Sequence, residues 1–144
     1  MSYIADLHIH SHLSRATSGN CTLAGLQRWA QLKGVRVVGT GDFTHPAWFA
    51  ELRDGLVDTG TGLYRLRPDL AATVDAQVPG ACRAPVQFMI TGEISSIYKR
   101  DGHVRKVHSL LLVPDLETAG KINARLDVLG NIRSDGRPIL GLDP

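Results

Sequence analysis

Cysteine is scarce in this chain of 144 residues, and long apolar runs are missing. The two cysteines, Cys21 and Cys82, lie far apart and form no Cys-x-x-Cys pair, which argues against both a zinc ribbon and a disulfide framework. No apolar run approaches the roughly 20 residues that span a bilayer, and no basic segment followed by an apolar one opens the chain. We therefore expect free thiols and a cytoplasmic protein.

An excess of charge of either sign is missing too. Sixteen basic residues against fourteen acidic ones leave a net charge of +2, which permits an anionic partner without requiring one. The length is that of one domain, and 43% hydrophobic with 21% charged residues is typical of a globular protein. Because no internal repeat or low-complexity tract interrupts the chain, we expect a single domain over residues 1–144.

The most informative segment is Asp6-Leu7-His8-Ile9-His10, near the N-terminus. We expect a strand from Tyr3 to His10, and alternate side chains of a strand share a face, so Asp6, His8 and His10 are expected to project together. Two imidazoles at this spacing suit one divalent ion. A lone His-x-His also arises by chance, so the motif needs support from the rest of the chain.

The N-terminal half reads as alternating strands and helices. A helix from Thr22 to Lys33, stopped by Gly34, precedes a strand at 35–39, which predicts a βαβ unit with parallel strands. Pro46 then suits the first turn of a second helix that reaches about Leu56.

The middle of the chain is harder to interpret. Residues 58–85 are punctuated by glycine and proline, and only residues 62–66 look extended, so we expect an insertion with little regular structure. An apolar run at 86–93 then predicts a third parallel strand that ends in Glu93.

The C-terminal part begins with a predicted hairpin at 94–106 that turns at Asp101-Gly102. Residues 107–113 are expected to form a buried strand that carries His108, for a total of about four parallel strands. A helix from Asp115 to Leu129 follows, and the last residues resemble the start of another strand.

Ionisable residues recur at the predicted C-terminal ends of strands. Parallel strands gather these ends at one edge, where α/β proteins place their sites. Imidazole and carboxylate together suit zinc, manganese or iron, and several such ligands can hold two or three ions that clamp a phosphate and activate water. The residues concerned are His8, His10, Asp42, His45 and Glu93.

Other polar residues leave alternatives open. His12 and His103 are expected on the solvated surface. His108 interrupts an apolar strand and so needs a partner, either as a core histidine or as a metal ligand. The basic cluster around the hairpin is either a solvated edge that discourages aggregation or a set of phosphate contacts; its members are Lys99, Arg100, Arg105 and Lys106.

Several segments resemble motifs of the polymerase and histidinol phosphatase (PHP) superfamily. The segment Asp6 to Ser11, the strand end Gly39-Thr40-Gly41-Asp42, and the strands ending in Glu93 and carrying His108 resemble its first three motifs. The chain is more closely similar to the endonuclease Q group, as judged from the segments at 14–18, 39–46, 91–95 and 134–138.

The resemblance implies a distorted (βα)7 PHP barrel that holds a cluster of two or three divalent ions, with Zn, Mn and Mg as candidates. It further implies a DNA endonuclease that nicks beside deaminated bases such as uracil or hypoxanthine. Metal ligands are then expected at His8, His10, Glu93, His108 and His45, and catalytic roles at Glu93 and Asp42.

The chain departs from the superfamily pattern in two respects. Phe43 stands where members usually have a histidine, so His45 or Asp42 would have to supply the ligand instead. The later motifs, another His and a final Asp-x-His, are absent before Pro144. We therefore expect the N-terminal, incomplete part of the barrel.

Three functions remain open at this point. The first is a metal-dependent DNA endonuclease whose full-length form binds DNA, with no membrane and no evident protein partner. The second is a small-molecule phosphatase that uses the same metals. The third is an inactive remnant that only binds metal or DNA.

Overall fold

A mixed α/β fold is present in the computed structural model, which describes residues 2–142. Within this range one seven-stranded sheet is flanked by helices, which confirms the α/β class. Its strands are β1 (Ile4–Asp6), β2 (Val35–Gly39), β3 (Leu56–Asp58), β4 (Tyr64–Leu66), β5 (Gln87–Arg100), β6 (His103–Val113) and β7 (Ile139–Leu140). Its helices are α1 (Leu23–Lys33), α2 (Pro46–Gly55), α3 (Pro68–Asp75), α4 (Leu116–Leu129) and a 3-10 turn at Gly80–Cys82. None of the helices between residues 2 and 142 has the length and apolar character needed to cross a membrane.

The predicted βαβ unit is confirmed. Strands β1 and β2 pair in parallel, and α1 connects them. The Thr22 hydroxyl accepts a hydrogen bond from the Gly25 amide, and Gly34 ends the helix at a φ of 72°, a left-handed conformation that glycine adopts without strain. The N-terminal end of α1 is therefore specified by a side-chain cap and the C-terminal end by the backbone freedom of glycine.

The first strand is shorter than predicted, because the chain leaves β1 after Asp6. Leu7 then passes close over β2, where a Cβ on Gly39 would lie 2.6 Å from the Leu7 carbonyl oxygen. Only glycine permits this approach. Residues 7–10 consequently cross the end of the sheet as irregular backbone instead of continuing the ladder.

The prediction of little regular structure at 58–85 is wrong. Strands β3 and β4 form an antiparallel pair, and β4 confirms the extended stretch, while α3 begins at Pro68 in the first helical position. Each strand spans three residues, too few for alternation to be legible in sequence. Burial of Tyr64 and Leu66 stabilises the pair.

The hairpin at Asp101-Gly102 is confirmed, with φ values of 53° and 75° at its two central residues, but it is longer than expected. Strand β6 is the antiparallel partner of β5 along its whole length. The expectation of a buried parallel strand at 107–113 is therefore wrong, and Leu110 and Leu112 on β6 are exposed.

The C-terminal part follows the prediction. Asp115 caps α4 by accepting a hydrogen bond from the Thr118 amide at 2.6 Å. Strand β7 pairs in parallel with β5 and confirms the expected start of another strand. A small apolar cluster formed by residues including Leu126, Ile132 and Leu140 anchors this segment against the hairpin.

Candidate metal centre

Three histidines converge on the carboxylate of Glu93. The Nε2 atoms of His8 and His10 lie 2.9 and 3.1 Å from Glu93 Oε2, and His108 Nδ1 lies 2.6 Å from Oε1. His8, His10 and Glu93 each offer one ligand atom, and these three atoms all lie within 4.8 Å of one another. We call these three residues together with His108 the Glu93 cluster.

Glu93 lies in the interior of β5, not at its end as predicted. Parallel pairing with β2 stops at Met89, and β5 continues from there as one arm of the hairpin. Glu93 therefore stands just past the end of the parallel part of the sheet. His8 reaches it from the irregular segment after β1, and His108 reaches it from the antiparallel partner strand.

The Glu93 carboxylate is buried, with 3% of its side chain exposed. Burial raises the pKa of this carboxyl, but the hydrogen bond with His8 and the positive charges of Arg137, His108 and His10 outweigh it, so the pKa lies below its usual value. The group is thus a carboxylate at neutral pH, which is the form that binds cations.

One oxygen of this carboxylate is left without a proper hydrogen bond. Oε1 is fully buried and accepts none of acceptable geometry, although His108 Nδ1 and Arg137 Nη1 approach it. Buried polar atoms are nearly always satisfied, so an exception requires an explanation. Three imidazoles and a carboxylate with a free oxygen form the donor set that zinc or manganese prefers, and these residues therefore fit a divalent ion.

Asp42 lies behind the cluster, completely buried at a positive φ of 50°. Its Oδ1 lies 2.8 Å from His10 Nδ1, while Oδ2 accepts hydrogen bonds from the Ser11 amide and from the hydroxyls of Ser11 and Ser14 at 2.6, 2.7 and 2.9 Å. The carboxylate thus fixes the imidazole so that Nδ1 donates to it and Nε2 faces Glu93.

His10 and Asp42 shift each other's pKa. The hydrogen bond that His10 Nδ1 donates to Asp42 raises the pKa of His10 above 6.5 despite partial burial. Burial works to raise the pKa of Asp42, but hydrogen bonds from His10 and Ser11 outweigh it and hold that pKa below its usual value. Asp42 is therefore ionised at neutral pH and orients His10.

The loop that carries Asp42 is bound to β5. The Gly41 amide donates to the Thr91 hydroxyl at 2.9 Å, and the Thr91 amide donates to the Thr40 hydroxyl at 3.0 Å. Phe43, which stands where the resemblance implied a histidine, is completely buried, and a Cβ on Gly92 would lie 2.8 Å from its ring. Its ring belongs to the main apolar core.

The structure does not bring every predicted residue to the cluster. His45 is the N-cap of α2: its Nδ1 accepts from the Ala47 amide at 3.2 Å, and its Nε2 lies 3.1 Å from the Arg133 carbonyl oxygen. Asp6 is exposed on β1 and is not one of the ligand-bearing residues grouped around Glu93. The expectation that Asp6 projects with both histidines fails because the strand ends at Asp6.

The other histidines divide as follows. His103 is exposed, as predicted. His12 is only 24% exposed and pairs with the Glu51 carboxylate at 3.0 Å while its ring packs against Trp48. The partner expected for His108 is Glu93, although 48% of the His108 side chain is exposed.

Sequence reasoning assigned no role to Ser11, Ser14 or Arg137. The Arg137 Nη1 atom lies 3.8 Å from Glu93 Oε1, so a guanidinium borders the cluster. A Cβ on the preceding Gly136 would overlap the Asp42 carboxylate and the Ser14 hydroxyl. In the sequence, the segments at 14–18 and 134–138 stood out only through the resemblance to endonuclease Q. Their residue types alone do not predict a functional role.

The backbone around Arg137 is held in place by hydrogen bonds to other segments of the chain. The Gly136 amide donates to the Leu13 carbonyl at 3.3 Å, the Thr44 hydroxyl donates to the Gly136 carbonyl at 3.4 Å, and the Ser95 amide donates to the Pro138 carbonyl at 3.0 Å. The guanidinium itself makes no hydrogen bond to any group within residues 2–142 and is 40% exposed. It is therefore available to a ligand.

Comparison with known protein sequences gives one partial match. No protein-family model matches the chain. An uncharacterized protein of Methanocaldococcus jannaschii is 42% identical over 48 residues, which cover 33% of this chain and 6% of that protein.

Two solved structures match almost the whole chain. The lesion-specific endonuclease Q of Pyrococcus furiosus is 34% identical with a TM-score of 0.71, and the match covers 96% of this chain. Endonuclease Q in complex with a 27-mer duplex substrate carrying an abasic lesion at the active site matches equally well. The resemblance to endonuclease Q is thus confirmed, and this chain spans 29% of the length of either structure.

Proposed function

We propose that this chain, which resembles endonuclease Q over 96% of its length, carries part of a metal-dependent phosphodiesterase site that nicks DNA beside deaminated bases such as uracil and hypoxanthine. The observation that supports this most is the Glu93 cluster: three imidazoles around a buried carboxylate whose Oε1 has no proper hydrogen bond. The lesion-specific neighbour supplies the DNA part of the proposal.

The proposed metal ligands are His8, His10, Glu93 and His108, with two or three ions of Zn, Mn or Mg in the full site. When bound there, a divalent ion polarises a phosphoryl oxygen and lowers the pKa of a coordinated water. Neutral imidazole and ionised carboxylate are the binding forms, and the low pKa of Glu93 supplies the second.

The residues around the ligands have separate proposed roles. Asp42 is a positioning residue, since its carboxylate already accepts hydrogen bonds from the Ser11 amide, two hydroxyls and His10. This refines the catalytic role first expected for Asp42. Arg137 is proposed to bind a non-bridging phosphate oxygen, because its guanidinium borders Glu93 and makes no hydrogen bond within residues 2–142.

We further propose that the fold is the N-terminal part of a distorted (βα)7 barrel. The parallel pairs β1–β2, β2–β5 and β5–β7 support this, because they place successive strand ends beside one site. The residues that complete the metal cluster would then come from a longer protein.

The first test measures metal content and nicking together. The longer protein that contains this chain is purified and loaded with Zn, Mn or Mg, its metal is quantified by mass spectrometry, and 5′-labelled duplexes carrying uracil, hypoxanthine or no lesion are incubated with it. We expect stoichiometric metal and nicks only beside the lesions, both abolished by a chelator.

Two variants sharpen this test. His8→Ala is expected to lose bound metal and nicking, whereas His103→Ala removes an exposed histidine far along the hairpin and is expected to keep both. Bound metal with hydrolysis of a phosphomonoester in preference to DNA would replace the proposal with a small-molecule phosphatase. Bound metal without hydrolysis of either substrate would indicate an inactive remnant.

A further inference from the structure

The β5–β6 hairpin extends past the rest of the sheet. Strands β5 and β6 pair continuously from Ile90 opposite Val113 to Arg100 opposite His103. Strand β2 covers only residues 87–89 of β5, and β7 pairs at residues 95–96. Within the described part of the chain, residues 97–106 therefore have no third strand beside them, and we call this segment the hairpin tip.

The hairpin tip is strongly cationic. It carries four basic residues against one carboxylate, a net charge of +3 in a chain whose total is +2, so the remainder of the chain is net negative by one. These residues are Lys99, Arg100, Asp101, Arg105 and Lys106, and all of them are exposed.

The pairing register divides these cations between two faces. Directly opposed residues of an antiparallel pair lie on the same face, and the faces alternate along each strand. Lys106 is two residues from His108, and Lys99 is six residues from Glu93, so both lysines share the face of the Glu93 cluster. Neither has an ion pair within residues 2–142.

The two arginines lie on the opposite face. Arg105 on β6 is directly opposite Tyr98 on β5. Arg100 is two residues beyond Tyr98 on β5, and its guanidinium lies 5.4 Å from the Tyr98 ring centre. A hairpin charged only to prevent strand aggregation needs no such division. The face that carries the cluster instead carries the two exposed lysines.

The spacing of the lysines suits a nucleic-acid strand. At about 3.3 Å per residue, Lys106 lies ~7 Å from His108 along the ribbon, and Val104, which opposes Lys99, lies ~13 Å away. One strand of DNA rises about 3.4 Å per nucleotide. Measured along the helix axis, these distances correspond to a few nucleotides, so both ammonium groups lie within reach of phosphates near one held at the cluster.

We propose that the hairpin tip binds the DNA backbone through Lys99 and Lys106 and aligns the strand whose phosphate enters the Glu93 cluster. This inference rests on the proposed function, since it takes DNA as the substrate. It adds a surface outside the metal site and assigns binding to one face of the hairpin.

The test compares two double variants with equal loss of charge. Lys99→Gln/Lys106→Gln removes the cations on the cluster face, and Arg100→Gln/Arg105→Gln removes those on the other. Binding of a uracil-containing duplex is measured by fluorescence anisotropy between 50 and 200 mM KCl in EDTA, so that nicking does not interfere. Circular dichroism checks the fold, and Lys99→Arg/Lys106→Arg serves as the charge-preserving control.

Each phosphate contact contributes about 0.9 to the slope of log affinity against log salt, so the lysine variant is expected to lose about 1.8 from this slope. Its affinity then changes about tenfold less across this salt range. The arginine variant and the Lys-to-Arg control are expected to keep a slope close to the parent. Equal losses in both glutamine variants, no loss in either, or no binding by the parent protein would overturn the inference.

The outcomes for nicking and for binding are separable. Lysine-dependent binding without nicking contradicts the proposed function and leaves DNA binding by the hairpin tip standing. Nicking beside lesions with unchanged affinity of the lysine variant overturns the hairpin inference alone, and is the result expected if the exposed Val104 and Leu110 on this face bind another protein instead.

Discussion

At the scale of single residues, the division of work between His10 and Asp42 is the clearest feature of the site. His10 uses one ring nitrogen for Asp42 and presents the other to Glu93. Asp42 is held at a positive φ that few residues other than glycine adopt without strain, and such strain persists only where the surroundings enforce it. Here the enforcing contacts are the bonds from Ser11 and Ser14.

The positioning role predicts the effect of Asp42→Asn. The amide nitrogen cannot accept hydrogen bonds, so either His10 loses its tautomer-fixing acceptor or the Ser11 donors lose theirs. We expect metal affinity to fall by about 10- to 100-fold. Competition with a chromogenic chelator measures the affinity, and 15N NMR of the imidazole reports the His10 tautomer.

Ser14→Ala is the matched control, because it removes one of three donors to Oδ2 and leaves His10 paired. A direct metal ligand would behave differently from a positioning residue. If Asp42→Asn abolished metal binding as completely as His10→Ala while the tautomer stayed unchanged, Asp42 would be a ligand.

The His-x-His motif and Glu93 could be found from the sequence, because ligand-type residues beside predicted strands are conspicuous. Ser11, Ser14 and Arg137 could not, since serine and arginine are common on any surface and their roles depend on contacts across 28 to 44 positions of sequence. The interpretation of His45 as a ligand followed from Phe43, and the structure places His45 at a helix N-cap instead.

At the scale of elements, the segment between α4 and β7 delivers the only arginine that borders the Glu93 cluster among the described residues. Its position depends on the pairing of β7 with β5 and on the bonds of Gly136 and Pro138. A backbone held by hydrogen bonds, with a guanidinium that makes no hydrogen bond within residues 2–142, suits the binding of a phosphoryl oxygen whose charge increases during hydrolysis.

We therefore predict that Arg137→Gln lowers kcat/KM for nicking by about 10²- to 10³-fold, as expected for loss of one preorganised donor. Metal content is expected to stay at the parent level, because the substitution leaves every proposed ligand in place. Single-turnover nicking assays and metal analysis provide the two measurements.

Arg133→Gln is the control for this prediction. Arg133 lies four residues earlier and pairs with Asp127 at 2.9 Å on the surface. Equal losses in both variants would indicate a general charge effect and contradict a specific role for Arg137.

Elements with strong local signals were predicted correctly, namely the capped helices α1 and α4 and the turn at Asp101-Gly102. The pairing of β6 was not, because an apolar run such as Ser109 to Val113 has the same composition in a buried parallel strand and in a hairpin arm. Register is decided by the turn and by the partner strand, which sequence periodicity does not contain.

At the scale of the whole molecule, the Glu93 cluster joins parts that are distant in sequence, from His8 to His108. A bound ion would therefore stabilise the folded state as a unit. At a free concentration 100 times the dissociation constant, binding contributes about 2.7 kcal/mol to the free energy of unfolding, or a Tm increase of roughly 5–10 °C for a domain of this size.

We predict this increase on adding Zn or Mn, measured by differential scanning fluorimetry, and its absence in Glu93→Gln. His45→Ala is the informative control, because both ring nitrogens of His45 face the backbone of α2 and Arg133. We expect His45→Ala to retain the increase. Loss of the increase in His45→Ala, with an unchanged Tm for the metal-free protein, would restore His45 as a ligand.

The pH dependence of this effect has a defined sign. The pKa of His10 is raised above 6.5 in the folded state, so its pairing with Asp42 stabilises the metal-free protein below pH 6.5 and that contribution is lost as pH rises through the raised pKa. The lowered pKa of Asp42 keeps its carboxylate ionised throughout this range.

Metal binding requires neutral His10, so protons compete with the ion over the same interval. Between pH 8 and pH 5, the metal-induced increase in Tm is therefore expected to shrink while the contribution of the His10–Asp42 pair grows. An increase that stayed constant down to pH 5 would show that His10 does not bind the ion.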